Sequence, residues 1–318
     1  MKACIRTVLV VIAAFALLCC VACSGKKTEE MTGSARLRVV CTFLPIYVIT
    51  QNVVADVPGV EVLNLLPPTV GCPHNYAMTP GDAIQLESAD VLVMNGLGME
   101  RFLEGSPYLK RRDLEVIVAS EVVEPIPLEF GRERHEQAYA EDEGLPNPHA
   151  WVSPAEAARM TRHIGARLAE IDSEYEAEYR ANAEKYAATL DSLAARLAER
   201  LKGVRNRRIV TFHEAFDYLA RDLNLQVVAV VEPDPGVEPS AGKMTELIAR
   251  IRDSKPAAIF AEPQYSDRLA RMLSEETGVP FYVLDPASSG ADDPLSYVRI
   301  MINNAIVLQQ ALIKELNP

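Results

Sequence analysis

Three histidines and one aspartate give this sequence the side chains of a transition-metal site. They are His74, His149, His213 and Asp285, in a chain with five histidines among its 318 residues. Neutral imidazoles and one carboxylate form a tetrahedral set that Zn²⁺ accepts well. Calcium and magnesium prefer shells of oxygen ligands. The residue types therefore indicate zinc binding, provided that the fold brings these distant residues together.

The predicted strands and helices place the four residues at similar points. His213 and Asp285 each directly follow a predicted strand. His74 lies in the loop after another strand, and His149 lies just before a helix. Ligands of open parallel sheets bind beyond the carboxyl ends of the strands. Each half of the chain supplies two residues, so a metal bound by all four would lie in the cleft between two lobes.

Apolar, β-branched runs alternate with helical segments along the chain, as in parallel, helix-covered sheets. The predicted strands are residues 37–43, 60–66, 89–95 and 114–119 in the first half, and 208–212, 226–231, 257–261 and 280–284 in the second. The predicted fold class is α/β: two lobes, each with a mostly parallel four-stranded sheet covered by helices, joined by a long rigid helix.

The joining helix is predicted at residues 174–203, between an N-terminal lobe at 37–173 and a C-terminal lobe at 204–318. Its helical stretch, about residues 174–202, would reach roughly 43 Å at 1.5 Å per residue, so we expect a stiff strut. Residues 121–148 show no period and are rich in Pro, Glu and Arg, which predicts a long loop.

The N-terminus is typical of an exported lipoprotein. Lys2 and Arg6 precede an apolar run, which small residues follow up to Cys23. The pattern predicts a signal peptide at residues 1–22 and acylation of Cys23. Cys20 is the alternative acylation site, and an ordinary cleaved signal would leave no anchor. Residues 23–36 suit a flexible tether, so we expect a lipid-anchored protein on the extracytoplasmic side, either periplasmic or at the cell surface.

Cleavage before Cys23 would leave three of the six cysteines in the mature chain. An oxidising compartment would then allow one disulfide, between Cys41 and Cys72. Two separate free thiols are the alternative, because the sequence does not contain the geometry that a disulfide needs.

The charge of the chain excludes one class of partner. The formal net charge of −12 at pH 7 argues against nucleic acid, because a general binder of phosphates needs a basic face. An acidic surface is compatible with attracting cations and also with solubility alone.

Several motifs together resemble one family over about residues 37–316. The matching segments are GCPHNY at 71–76, NGLGME at 95–100, PHAWVSP at 148–154, FHEAFDY at 212–218, EPS at 238–240, FAEPQ at 260–264 and LDP at 284–286. In these segments the chain is similar to the cluster A-I substrate-binding lipoproteins of bacterial ABC transporters for zinc and manganese.

The resemblance implies two α/β lobes joined by a rigid helix, with metal held between them by the three histidines and Asp285. It also implies a monomer that delivers the ion to an ABC permease in the cytoplasmic membrane. Related manganese binders often have a carboxylate where His213 stands, so three imidazoles favour Zn²⁺ as the bound ion, with Mn²⁺ as the alternative.

The sequence also departs from the family. The family usually has Asp where Cys72, Asn147 and Ser153 stand, so fewer acids remain to orient the ligands. Cys72 could reach the metal as a thiolate, but a structural thiol is the favoured interpretation. The His-rich loop of many zinc-binding members is missing: His135 is the single histidine of that loop and is expected to be exposed. His163 is expected to face out of a helix.

Two other functions would use the same residues. A zinc hydrolase needs an open metal position for water and a general base, for which Glu214 and Glu262 are candidates. Structural roles are favoured for both glutamates; an acid at Glu214, for example, suits a helix start. A surface adhesin with a structural metal is the third hypothesis, and its partner binding would persist without His149.

Overall fold

Strands and helices alternate along the parts of the chain that the structure describes. The computed structural model describes residues 35–73, 76–128, 146–232 and 239–313. The strands are β1 (Leu37–Cys41), β2 (Val60–Asn64), β3 (Val91–Met94), β4 (Glu115–Val118), β5 (Arg208–Thr211), β6 (Gln226–Val230), β7 (Ala258–Ala261) and β8 (Phe281–Val283). The helices are α1 (Leu44–Val53), α2 (Pro80–Glu87), α3 (Pro154–Ile171), α4 (Glu176–Arg200), α5 (Asp217–Asp222), α6 (Ala241–Ser254), α7 (Arg268–Thr277) and α8 (Ser296–Ile313).

The first half forms a parallel sheet with the strand order β2-β1-β3-β4. The central strands β1 and β3 align Val39 with Val91 and Cys41 with Val93. All four of these side chains are fully buried. Strands whose two faces are both covered by helices are apolar at successive positions, which explains the Val-rich runs in this half of the sequence.

The second half repeats this arrangement, with the parallel order β6-β5-β7-β8. The central strands β5 and β7 align Ile209 with Ala258 and Thr211 with Phe260. A separate apolar cluster covers one face of this sheet and includes Leu247, Ile251 and Leu273. The predicted fold class is therefore confirmed: two parallel four-stranded sheets are covered by helices.

Helices α3 and α4, which follow the strands of the first sheet in the chain, pack closely against each other. The contact depends on Gly165, since a Cβ atom at this position would lie 2.3 Å from the Cβ of Ala183. Helix α4 has 25 residues and so extends about 38 Å. Its observed bounds lie within the predicted joining helix, whereas the predicted lobe boundaries remain a prediction.

The main apolar core is continuous from one sheet to the other. Buried residues of the same cluster include Val39 on β1, Leu190 on α4, Phe260 on β7 and Leu308 on α8. Because both sheets share this core, opening a hinge between them would expose apolar surface. Among the residues described, no helix combines the length and the apolar character needed to cross a membrane.

Candidate metal centre

The carboxyl ends of β5 and β7 bring two side chains of the second half together. The chain leaves these neighbouring strands toward opposite edges of the sheet, and such switch points are where open α/β sheets bind ligands. His213 and Glu262 follow the two strands and are each 2% exposed. His213 Nδ1 lies 3.2 Å from Glu262 Oε1. This contact orients the imidazole and makes Nε2 its ligating nitrogen.

His149 lies at the start of the short turn that leads into α3, and Asn147 holds its ring. His149 is 1% exposed. The Asn147 side-chain oxygen accepts the backbone N–H of His149 at 3.0 Å and lies 2.8 Å from its Nδ1. The Asn147 amide nitrogen donates to the Glu214 carbonyl at 2.7 Å and to Asp217 Oδ2 at 2.6 Å. These bonds assign the amide orientation, so His149 carries its proton on Nδ1 and presents the Nε2 lone pair.

Cys72 lies in contact with that nitrogen. Its Sγ lies 3.2 Å from His149 Nε2. The loop that carries Cys72 also touches loops of the second half: the Gly290 N–H donates to the Pro68 carbonyl at 3.1 Å, and a Cβ on Gly71 would lie 3.7 Å from Gln264. The chain therefore places Cys72 where the two halves meet.

Cys72, His149 and His213 form a group that has the spacing of a metal site. Their ligand atoms all lie within 4.8 Å of one another. The two imidazole centroids are 4.5 Å apart with the rings at 86°. A tetrahedral zinc ion separates two nitrogen ligands by about 3.3 Å, and sulfur from nitrogen by about 3.6 Å. The described residues thus contain a preformed set of two imidazoles and one thiol.

Asp285 lies near this group but is not a member of it. Its Oδ1 accepts the backbone N–H of Ala287 at 2.8 Å. Trp151, two residues after His149, donates from Nε1 to the Pro286 carbonyl at 2.8 Å, which ties the Asp285 loop to the site. Burial raises the pKa of the Asp285 carboxyl, and the charge on Glu262 raises it further.

Two predicted site residues lie outside the described residues. His74 falls in the gap between residues 73 and 76, and Cys23 precedes residue 35. His135 is also outside the described ranges. Ligation by His74 and acylation of Cys23 therefore stay predictions.

The disulfide that the sequence would allow between Cys41 and Cys72 is not formed. Both residues are free cysteines. Cys41 is fully buried on β1, and burial raises the pKa of its thiol to about 12. The Cys72 sulfur instead faces His149, so the alternative of two separate thiols describes the structure.

The remaining candidates have structural contacts. The Glu262 side chain pairs with His213, and the Glu214 backbone carbonyl accepts from Asn147, so a structural role for the Glu214 carboxylate stays a prediction. His163 on α3 lies 3.3 Å from Glu121 through its Nε2 atom and is not in the metal-capable group. Its side chain is only 14% exposed, so the expectation that it faces out of the helix is wrong.

The thiol and the carboxyl of the centre are hard to ionise without a cation nearby. Burial raises the pKa of the Cys72 thiol well above its ordinary value, and the charge on Glu262 adds to this effect. Asp285 is affected in the same way. A divalent ion would favour the ionised forms of these partly buried groups.

Two residues contribute more to the centre than the sequence indicates. The sequence favours a structural thiol for Cys72, and Asn147 stands where the family usually has Asp. The position of Cys72 two residues before His74 was the available signal for the first. Nothing in the sequence showed that the Asn147 oxygen would face the His149 ring.

The chain is similar to proteins that are named for binding metal ions. The matching family profile is ZnuA, the periplasmic component A of the zinc-uptake complex, and it covers residues 39–311. The zinc-binding lipoprotein AdcA of Streptococcus pneumoniae strain R6 is 29% identical over 326 aligned positions, which cover 98% of this chain and 62% of AdcA. The chain thus spans less than two thirds of that relative.

Two further similarities cover more of the matched protein. The iron-binding protein YfeA of Yersinia pestis is 31% identical over 272 positions, or 85% of this chain and 83% of YfeA. The structure of the substrate-binding protein FpvC of Pseudomonas aeruginosa in complex with Mn²⁺ superposes with a TM-score of 0.78 at 28% identity. That superposition covers 88% of this chain and 99% of FpvC.

Proposed function

The chain belongs to the ZnuA family of periplasmic zinc-uptake components, and on that premise we propose that it captures Zn²⁺ and delivers it to a membrane permease. It would act as the extracytoplasmic, metal-binding component of an ABC transporter. The group formed by the partly buried Cys72 and the buried His149 and His213 is the observation that carries the proposal. Family membership suggests a bound ion, and this group gives the place in the chain where the ion would be held.

The ligand set of the proposal is His74, His149, His213 and Asp285. Two of these histidines are supported by geometry: each is buried, and Asn147 or Glu262 orients its ring. Support for Asp285 comes from the bond between Trp151 and the Asp285 loop. The metal would then lie between an N-terminal lobe (37–173) and a C-terminal lobe (204–318), with the joining helix at 174–203.

Zinc is the proposed ion and manganese the alternative. Two oriented imidazoles suit Zn²⁺ better than they suit Mn²⁺, which prefers oxygen ligands. The relatives include proteins named for zinc, iron and manganese. Selectivity for one ion would therefore depend on the ligand types and the spacing of the site in this chain.

The proposed location follows from the family and the N-terminus. The family is periplasmic by description, and several relatives are named lipoproteins. We propose that residues 1–22 are a signal peptide, that Cys23 is acylated, and that residues 23–36 tether a monomer to the membrane. Its partner would be an ABC permease in the cytoplasmic membrane.

The enzyme hypothesis has less support. The family is a class of metal-transporter components and not an enzyme class. A hydrolase would need an unengaged carboxylate near the metal as general base. Glu262 is engaged with His213, which is the contact expected of a group that orients a ligand.

The test is the metal content and zinc affinity of the full chain purified in detergent. Wild-type protein should bind one zinc per chain. His213→Ala should weaken binding by more than about 100-fold, since loss of a group that only orients a ligand already costs about 10–100-fold. His163→Ala is the matched control and should leave affinity unchanged, because His163 pairs with Glu121 away from the centre.

Other outcomes would change the assignment. Tight binding that survives His213→Ala would place the metal elsewhere in the chain. Absence of zinc together with tight manganese binding would replace the ion and keep the site. Binding of neither ion would refute the metal-capture function.

A further inference from the structure

The sulfur of Cys72 occupies the position that a metal on His149 must approach. Sγ lies 3.2 Å from His149 Nε2, within reach of a thiol that donates its proton to the imidazole lone pair. A metal bound to His149 needs that same lone pair. Capture therefore breaks the thiol–imidazole contact and leaves the sulfur beside the ion.

We propose that Cys72 is a thiolate ligand of the captured metal in place of Asp285, which is not in the metal-capable group, so that the substrate of this site is a thiophilic divalent cation, Zn²⁺ or Cd²⁺, in preference to Mn²⁺. The inference deepens the proposed function and rests on it, because it concerns the same site. As the sulfur–metal bond forms, the thiol proton passes to solvent and the ion keeps its oxidation state.

The spacing of the three side chains supports this assignment. Their ligand atoms lie within 4.8 Å of one another, and the sulfur-to-nitrogen distance needs to widen only slightly to reach the value of about 3.6 Å in a tetrahedral zinc site. Asn147 and Glu262 hold the two rings. Cys72 lies in a loop outside the strands and helices, so it is the partner that would shift.

The chemistry of sulfur sets the preference among ions. Thiolates are soft ligands that favour Zn²⁺ and related ions, whereas Mn²⁺ favours carboxylates, carbonyls and water. A site with two imidazoles and a thiolate would thus disfavour manganese. Neither cysteine of the described chain is in a disulfide, so the Cys72 sulfur is available for this role.

Cobalt substitution tests the thiolate directly. The full chain, purified in detergent and kept reduced, is titrated with Co²⁺, and the near-ultraviolet spectrum is followed for thiolate-to-cobalt charge transfer. Wild type should develop this band with one cobalt per chain. Cys72→Ser and Cys72→Asp should bind cobalt without it. Cys41→Ser is the matched control and should retain the band, because Cys41 is buried on β1.

Ion selectivity provides the second measurement. The ratio of the manganese to the zinc dissociation constant should fall at least about tenfold in both Cys72 variants relative to wild type and Cys41→Ser. An unchanged ratio, or a charge-transfer band that persists in Cys72→Ser, would overturn the thiolate assignment.

The failures of the two proposals are distinguishable. Stoichiometric cobalt and zinc binding by wild type without the band would overturn the thiolate and leave metal capture standing. Absence of stoichiometric binding of any of these ions would overturn both.

Discussion

Replacing Asn147 with alanine should weaken metal binding and destabilise the fold at the same time. The side chain is fully buried and makes hydrogen bonds in two directions. Its oxygen accepts from the backbone and ring of His149, and its nitrogen donates to Glu214 and Asp217. One residue therefore orients a ligand of the first half and ties it to the start of α5 in the second half.

The magnitude follows from these contacts. Each such bond contributes about 1 kcal/mol net, so the loss of all of them should cost about 3–4 kcal/mol, less whatever a water molecule restores in the vacated space. Loss of the orienting partner of a ligating histidine weakens metal affinity by about 10–100-fold. That change corresponds to about 1.4–2.8 kcal/mol of binding free energy.

Two assays separate the effects. Zinc affinity is measured by competition with a chromophoric chelator, and the free energy of unfolding by urea denaturation of the metal-free protein, because bound metal would itself stabilise the fold. Asn147→Asp is the control: it keeps the oxygen that faces His149 and loses the donor to Glu214, so it should lose stability and retain zinc affinity. If Asn147→Ala loses stability while its zinc affinity stays within about twofold of wild type, orientation of the ring by Asn147 is refuted.

Further perturbations test the packing, the charges and the site. Gly165→Ala should cost about 1–3 kcal/mol of stability in thermal unfolding, because its Cβ would lie 2.3 Å from that of Ala183; an unchanged melting temperature would contradict the close contact. Burial raises the pKa of Asp172, but hydrogen bonds from Arg36 and Tyr179 outweigh it and hold the pKa below its ordinary value. The stability that the ionised Asp172 carboxylate contributes should be present above the ordinary pKa of about 3.9 and should disappear as pH falls through the lower native pKa. Asp172→Asn should therefore destabilise the protein at neutral pH and not in strong acid. Equal losses of stability at both pH values would refute this. Zinc affinity should fall between neutral pH and about pH 5, since protonated imidazoles cannot ligate; a constant affinity would exclude histidine ligation. X-ray scattering should show little contraction on zinc binding because the core is continuous between the sheets, and a large change would refute that expectation.

The strands were predictable because buried parallel strands leave a local pattern. The run that predicts residues 37–43 contains β1 (Leu37–Cys41), and the run at 280–284 contains β8 (Phe281–Val283). The ends differ by one or two residues, since an apolar run continues past the last paired residue into the covered loop. Thr79 is the N-cap of α2 and forms a capping box with Asp82, a local arrangement that depends on residues close in the sequence.

The partner of Cys72 was not predictable. A disulfide with Cys41 and a free thiol were both compatible with the sequence, because pairing depends on the path of the loop that carries Cys72. In the structure that loop touches Gly290 and Gln264 of the second half, which directs the sulfur to His149. Contacts between residues so far apart in the chain follow from packing and not from local pattern.

The sequence alone therefore determined the fold class, the order of strands and helices along the chain and the histidines suited to a metal. These are local properties: residue type, apolar period and motif. Only the tertiary structure decided which atoms meet, such as His213 with Glu262, 49 residues away, and Asn147 with Asp217, 70 residues away. Metal chemistry depends on such distances to within tenths of an ångström, and only the packed chain sets them.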